Sequence, residues 1–217
     1  DEKIVEIDNY SIGYVREIIN SKEIILKRIL DETQNSENKS DFYGEIMRTV
    51  VIPKTIQSFL NSSGGYLYIG IFDGGSTPDE KLIGLEEDFD AIKNNPENRG
   101  EIWPIGKLKD KLRSDMEASL DKYLKSESPV GPLLKWSWFE FDEKIILEIK
   151  IDRSPNPFFY KHWSKKNKEI EFDISINNEK KFARTLDDFH FRDGSRKLQC
   201  TTFESFYHYY LEHFQNS

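Results

Sequence analysis

At 217 residues, 37% hydrophobic and 32% charged with a formal charge of −8, the chain is long enough for one domain, 1–217, with a full core. Fifteen Phe, ten Tyr and four Trp exclude a disordered composition, and no apolar run approaches the ~18 residues of a membrane helix. A single cysteine, Cys200, excludes an internal disulfide framework and fits a reducing cytoplasm, and Asp1–Ile4 lacks the basic and apolar regions of a secretion signal.

Residues 11–20 read as a helix with Ser11 as its cap and Tyr14, Val15, Ile18 and Ile19 on one face. Glu23 to Leu30 is short and β-branched and reads as a strand. Asp31 to Gly44 is rich in Asn, Ser, Asp and Glu, which predicts an exposed polar loop over 31–44. Residues 45–60 fit a helix that kinks or begins near Pro53. Gly64-Gly65 then turns the chain into a strand, Tyr66 to Phe72, apolar on both faces as a central strand is. Gly74-Gly75 predicts a hairpin with positive φ, returning as a short strand at Leu82 to Leu85. Residues 86–104 look irregular. Leu108, Leu112, Met116, Leu120 and Leu124 recur at fours and predict an amphipathic helix over 107–124. Trp136–Phe141 and Lys144–Ile151 alternate around Asp142-Glu143 like a hairpin. Phe158–Lys161 and Glu169–Ile176 read as further strands, and Thr202–Phe214 as an aromatic terminal helix, serving as a core element or as an oligomer interface.

The acidic balance argues against non-specific nucleic-acid binding by the whole surface, because phosphate contacts need Lys and Arg. It does not exclude a local patch: residues 150–197 hold twelve Lys or Arg against eight Asp or Glu. There is no Gly-x-x-x-x-Gly-Lys-Ser/Thr loop, and the glycines at 64–75 precede a strand rather than a helix, unlike a dinucleotide fingerprint. The four histidines show no metal-ligand spacing with Cys200. Asp73 closes the central strand, where an Asp before glycine is a turn former or a rigidly held carboxylate.

Phe59-Leu60-Asn61-Ser62-Ser63-Gly64-Gly65-Tyr66-Leu67-Tyr68-Ile69-Gly70-Ile71-Phe72-Asp73, followed by Ile83-Gly84-Leu85, resembles the Schlafen-type AlbA domain. The helix at 14–20 followed by Glu23, Ile149–Phe159 with its Ser154-Pro155-Asn156-Pro157, and Phe191–Leu198 with its Arg192-Asp193-Gly194-Ser195 are similar to three further family segments in the right order. The resemblance covers roughly residues 14–214. It implies an α+β fold, a central mixed or antiparallel sheet packed by helices, and a nucleic-acid-binding role. It further implies a metal-dependent endoribonuclease as an alternative, in which an E-x-x-x-x-E-F-K pair and an Asp after the central strand hold Mg²⁺ or Mn²⁺ for cleavage of structured RNA such as tRNA.

On that resemblance Glu23 and Asp73 are the catalytic and metal-binding candidates. The pattern is broken, however. Aligned from Glu23, the second acid falls on Arg28, whose charge repels a divalent cation, and the Phe-Lys on Ile29-Leu30. A second register leaves Asn20 and Ile25 at the acid positions, and a shifted alignment recruits Glu37 and Asp41 from the polar loop, where carboxylates are ordinarily solvated. The leading expectation is therefore a domain that binds RNA or DNA with or without catalysis. Lys27, Arg28, Lys54, Arg153, Lys161, Lys165, Lys166, Arg192, Arg196 and Lys197 are its candidate phosphate contacts. A protein-interaction module, self-associating through the terminal helix, is the third reading; no membrane partner is expected.

Overall fold

The computed structural model describes residues 36–72, 74, 77–141, 143–160, 172–176, 179–183, 189–193, 196–200 and 202–215. The expected helix 11–20 and strand 23–30 lie outside the described residues. The fold is α+β, built on a mixed four-stranded sheet in the order β1-β2-β5-β4. The strands are β1 (Ser36–Lys39), β2 (Gly65–Ile69), β4 (Leu134–Phe141) and β5 (Lys144–Ile151).

β1 runs parallel to β2, with Glu37 opposite Leu67 and Lys39 opposite Ile69. This corrects the reading of 31–44 as a polar loop. Ser-Glu-Asn-Lys has little strand propensity, but Ser36 and Asn38 are buried, and β2 offers a ready-made edge to pair with. β2 and β5 are the inner strands, β2 central as expected, and β5, expected as an alternating hairpin strand, pairs antiparallel with both β2 and β4. The β4–β5 turn closes at Phe141 opposite Lys144, with Glu143 in the left-handed region at φ +68°.

Helix α1 (Ile52–Leu60) follows a π-helical stretch, Met47–Val51. Pro53 sits in its first turn, where a missing N–H costs nothing. All its residues except Lys54 are buried, polar Thr55, Gln57 and Ser58 included, so α1 is a core helix from nearly every side.

Gly64 makes the turn into β2 at φ +78°, and a Cβ there would sit 2.5 Å from the Ile151 carbonyl oxygen. The second glycine prediction is corrected. Positive φ falls at Gly70 (+96°) and Gly84 (+84°), not at Gly74, and Gly75 lies outside the described residues. The return strand reduces to one bridge between Ile71 and Leu82.

A short turn of helix, α2 (Pro78–Lys81), is followed by α3 (Glu86–Asn94), in the stretch expected to be irregular. Glu86, Glu87 and Asp88 place negative charge in its first turn, against the positive end of the helix dipole, and Phe89 and Ile92 bury one face. α4 (Ile105–Tyr123) buries Leu108, Leu112, Met116 and Leu120 as their spacing predicts. With α1, α3 and β5 these residues form the main core.

The remaining chain forms short hairpins. β3 (Leu124–Lys125) pairs β6 (Phe159–Tyr160), β7 (Phe172–Ile176) pairs β8 (Glu179–Ala183), and β9 (His190–Asp193) pairs β10 (Arg196–Gln199). The terminal helix α5 (Phe203–Tyr210) opens on a capping box between Thr202 and Ser205 and runs into a π-helical turn, Leu211–Gln215. Its Phe206 and Tyr210 are buried with Phe159, Phe189 and Cys200, so this face of the helix is core. Among the described residues no helix is long and apolar enough to cross a membrane.

Candidate nucleic-acid interface

Asn61, at the end of α1, joins segments that are far apart in the chain. Its amide nitrogen donates to the carbonyls of Phe158 (2.9 Å) and His190 (2.8 Å), and its carbonyl oxygen accepts from the Phe158 N–H at 2.8 Å. Ser62 Oγ accepts from the Arg192 N–H at 2.6 Å. Gln57 donates to the Phe158 carbonyl and meets His190 Nδ1 at 3.0 Å. These buried polar side chains have partners, as burial requires. Their combined effect is to hold β9 and the chain entering β6 against the C-terminal half of α1.

That docking carries Arg192 and Lys197 to the edge of the sheet, beside β1. Arg192 Nη1 donates to Glu37 Oε2 at 2.6 Å, and its guanidinium lies 4.4 Å from the centre of the Phe59 ring. Lys39 Nζ sits 2.9 Å from Glu37 Oε1, and Thr55 Oγ1 donates to the same oxygen at 3.2 Å. Lys197 Nζ reaches Thr55 Oγ1 at 3.5 Å. Lys54, one residue before Thr55, places its ammonium 4.9 Å from the Tyr160 ring centre.

Three cations, from β1, β9 and β10, thus gather at one carboxylate, and Lys54 of α1 stands near Lys197. Burial pushes the Glu37 carboxyl up, but the charges of Lys39 and Lys197 and the hydrogen bonds from Lys39 and Arg192 outweigh it and hold it below its ordinary value. Desolvation holds Lys197 below the usual lysine range; Glu37 pulls it up, while Lys39, Arg192 and Lys54 push it down further. One acid does not neutralise four bases, so the cluster keeps a positive field within an acidic chain. The expectation that Glu37 would be a solvated loop carboxylate is corrected: its side chain is 15% exposed and fully engaged. Asp41 accepts from Ser40 Oγ and the Gly44 N–H and shapes the turn into the helix. Among the described residues no three metal-ligating side chains gather.

The family model described as Schlafen, AlbA_2 matches residues 27–201. The chain belongs to the Schlafen AlbA_2 family. Membership associates it with nucleic-acid-related domains, and its motif glycines and Asn61-Ser62 are the residues that fix the sheet and the β9–β10 hairpin. No curated protein matches the chain. Among solved structures, the DIP2311 protein from Corynebacterium diphtheriae superposes with a TM-score of 0.45 at 12% identity, over 93% of this chain and 33% of that one. This AlbA_2 member spans about a third of the length of that protein.

Of the phosphate contacts expected from the sequence, Arg192 and Lys197 come together at Glu37, with Lys54 near Lys197. Arg196 is exposed on the same hairpin, opposite Asp193. Arg153 is turned to another task, donating to the His213 carbonyl where the terminal helix docks. Lys27, Arg28, Lys161, Lys165 and Lys166 lie outside the described residues, as do Glu23 and Asp73. Lys39, Glu37 and Thr55 were missed as partners of the cluster. The signal of Glu37 and Lys39 is weak, since a four-residue polar strand is indistinguishable from a loop by periodicity.

Proposed function

We propose that this AlbA_2 domain binds a strand of RNA or DNA through its phosphates, with the Lys39, Lys54, Arg192 and Lys197 cluster as the contact surface. The observation that carries this reading is the convergence of cations from three separate elements on one carboxylate, with Lys54 of a fourth element beside Lys197. Glu37 serves as the organiser. It fixes the Arg192 guanidinium and the Lys39 ammonium at set positions, so less side-chain freedom is lost when a phosphate arrives. Lys54 and Lys197 supply the charge nearest solvent. Both oxygens of Glu37 already accept from these cations and Thr55, an arrangement that favours a phosphate-facing surface over a divalent-cation site.

Fluorescence anisotropy with labelled single-stranded RNA and DNA tests this. The double variant Lys54→Ala/Lys197→Ala is expected to bind at least about tenfold more weakly at ~50 mM salt, with unchanged circular dichroism. Equal binding by the variant, or none by the wild type, contradicts the proposal. Incubation of tRNA with Mn²⁺ runs alongside: cleavage that Asp73→Ala abolishes would establish the endoribonuclease alternative instead.

A further inference from the structure

A second feature lies between α3, α4 and the Met47–Val51 turn. A cavity of about 420 Å³ opens there, within the ~300–1,000 Å³ usual for small-molecule sites. Arg48, Lys111 and Lys122 line it, with Asp115 as their acidic neighbour. Asp115 is already occupied: Oδ2 accepts from the Tyr43 hydroxyl at 2.6 Å and Oδ1 from Lys111 at 2.5 Å. The Arg48 guanidinium donates no hydrogen bond among the described residues, although its backbone carbonyl is held by Ser119 Oγ at 2.7 Å. The cavity's one planar, five-donor group is therefore uncommitted.

Its other wall is polar in a complementary way. Asn95 uses its carbonyl oxygen to accept from the Glu97 N–H at 3.1 Å, which leaves its amide NH₂ as a donor. Asn98 donates its amide to the Ile92 carbonyl at 2.7 Å, which leaves its oxygen as an acceptor. These two side chains, which line the cavity, thus offer one donor and one acceptor, the complement of a nucleobase edge. Tyr123 stacks on Tyr160 at 6.3 Å, and Lys54 approaches that same ring, so the cavity connects through two aromatic side chains to the cationic cluster.

We propose that this cavity binds a nucleoside monophosphate, with Arg48 on the phosphate and Asn95 and Asn98 on the base edge. The ligand is either a free nucleotide or the phosphorylated end of a strand, which present the same chemistry. The proposal stands apart from the reading of the Glu37 cluster.

Calorimetric titration of the full chain with each of the four ribonucleoside monophosphates tests it, with uridine and inorganic phosphate as controls. At least one nucleotide is expected to bind saturably with a Kd below ~1 mM, and inorganic phosphate at least tenfold more weakly. Arg48→Ala, a change to an exposed side chain, should weaken the nucleotide at least about tenfold, and Lys122→Ala should weaken it too. Lys54→Ala/Lys197→Ala should leave it within about twofold, which separates failure here from failure of the strand-binding reading. Displacement by a 5′-phosphorylated oligonucleotide, but not by its unphosphorylated twin, would assign the strand end as ligand; displacement by neither would assign the free nucleotide. The proposal is overturned if no nucleotide binds up to ~10 mM, if Arg48→Ala binds like the wild type, or if inorganic phosphate binds as tightly as the nucleotide.

Discussion

Asn61 shows what one residue does in this fold. Its three hydrogen bonds tie α1 to Phe158 and His190, and truncation would strand two backbone groups in the interior. Asn61→Ala is expected to cost about 2–4 kcal/mol in urea denaturation, as unsatisfied buried groups do. A loss below ~1 kcal/mol would show that the contacts are dispensable. Asp88 makes a pH-dependent prediction. Its carboxylate accepts from the Phe42 and Tyr43 N–H groups, yet it is 2% exposed, and burial pushes its pKa up to about 6 against those hydrogen bonds. A carboxyl raised in the folded state holds its proton more tightly there than when unfolded. Its contribution to stability is therefore present in acid and lost as pH rises through about 6. Relative to Asp88→Asn, the wild type should lose roughly 1–3 kcal/mol between pH 4 and pH 6. A constant difference across that range in paired denaturation curves would contradict this.

Among the elements, legibility followed apolar content. Helix α4 was readable because Leu108, Leu112, Met116 and Leu120 are all on one face and all buried. β5 was readable from the hairpin signal at Asp142-Glu143, although its residues 145–149 are all buried rather than alternating. β1 and α3 were not, for different reasons. β1 is held by pairing with β2, a long-range partner that no local pattern announces. α3 buries only Asp88, Phe89 and Ile92, and one of these is a charge. The Gly64 turn, by contrast, was legible as a turn between helix and strand, while its left-handed backbone was not, since positive φ was expected at Gly74-Gly75 instead. Gly64→Ala must adopt φ +78° and bring a methyl to 2.5 Å from the Ile151 carbonyl oxygen. It should cost more than about 2 kcal/mol in denaturant unfolding, through strain in the β2–β5 junction. A cost near zero would mean that the junction relaxes freely.

At the scale of the whole molecule, net charge and local charge point in opposite directions. A chain of −8 is repelled by a phosphate strand at long range, so any affinity must come from a compact positive surface at short range. Sequence singled out three of its members, Arg192 and Lys197 from a basic, motif-bearing stretch and Lys54 as a lone lysine in an apolar helix. It did not assemble them, because their meeting depends on Asn61 and Ser62 docking a hairpin some 130 residues away. Glu37 was hidden for the same reason: its role appears only once β1 lies beside Arg192. The salt dependence of single-stranded RNA binding measures this surface most directly. The four cations of the proposed surface predict a slope of log K against log salt of about −3, becoming shallower by about 1.4 in Lys54→Ala/Lys197→Ala. A flat dependence, or the same slope in wild type and variant, would contradict the account.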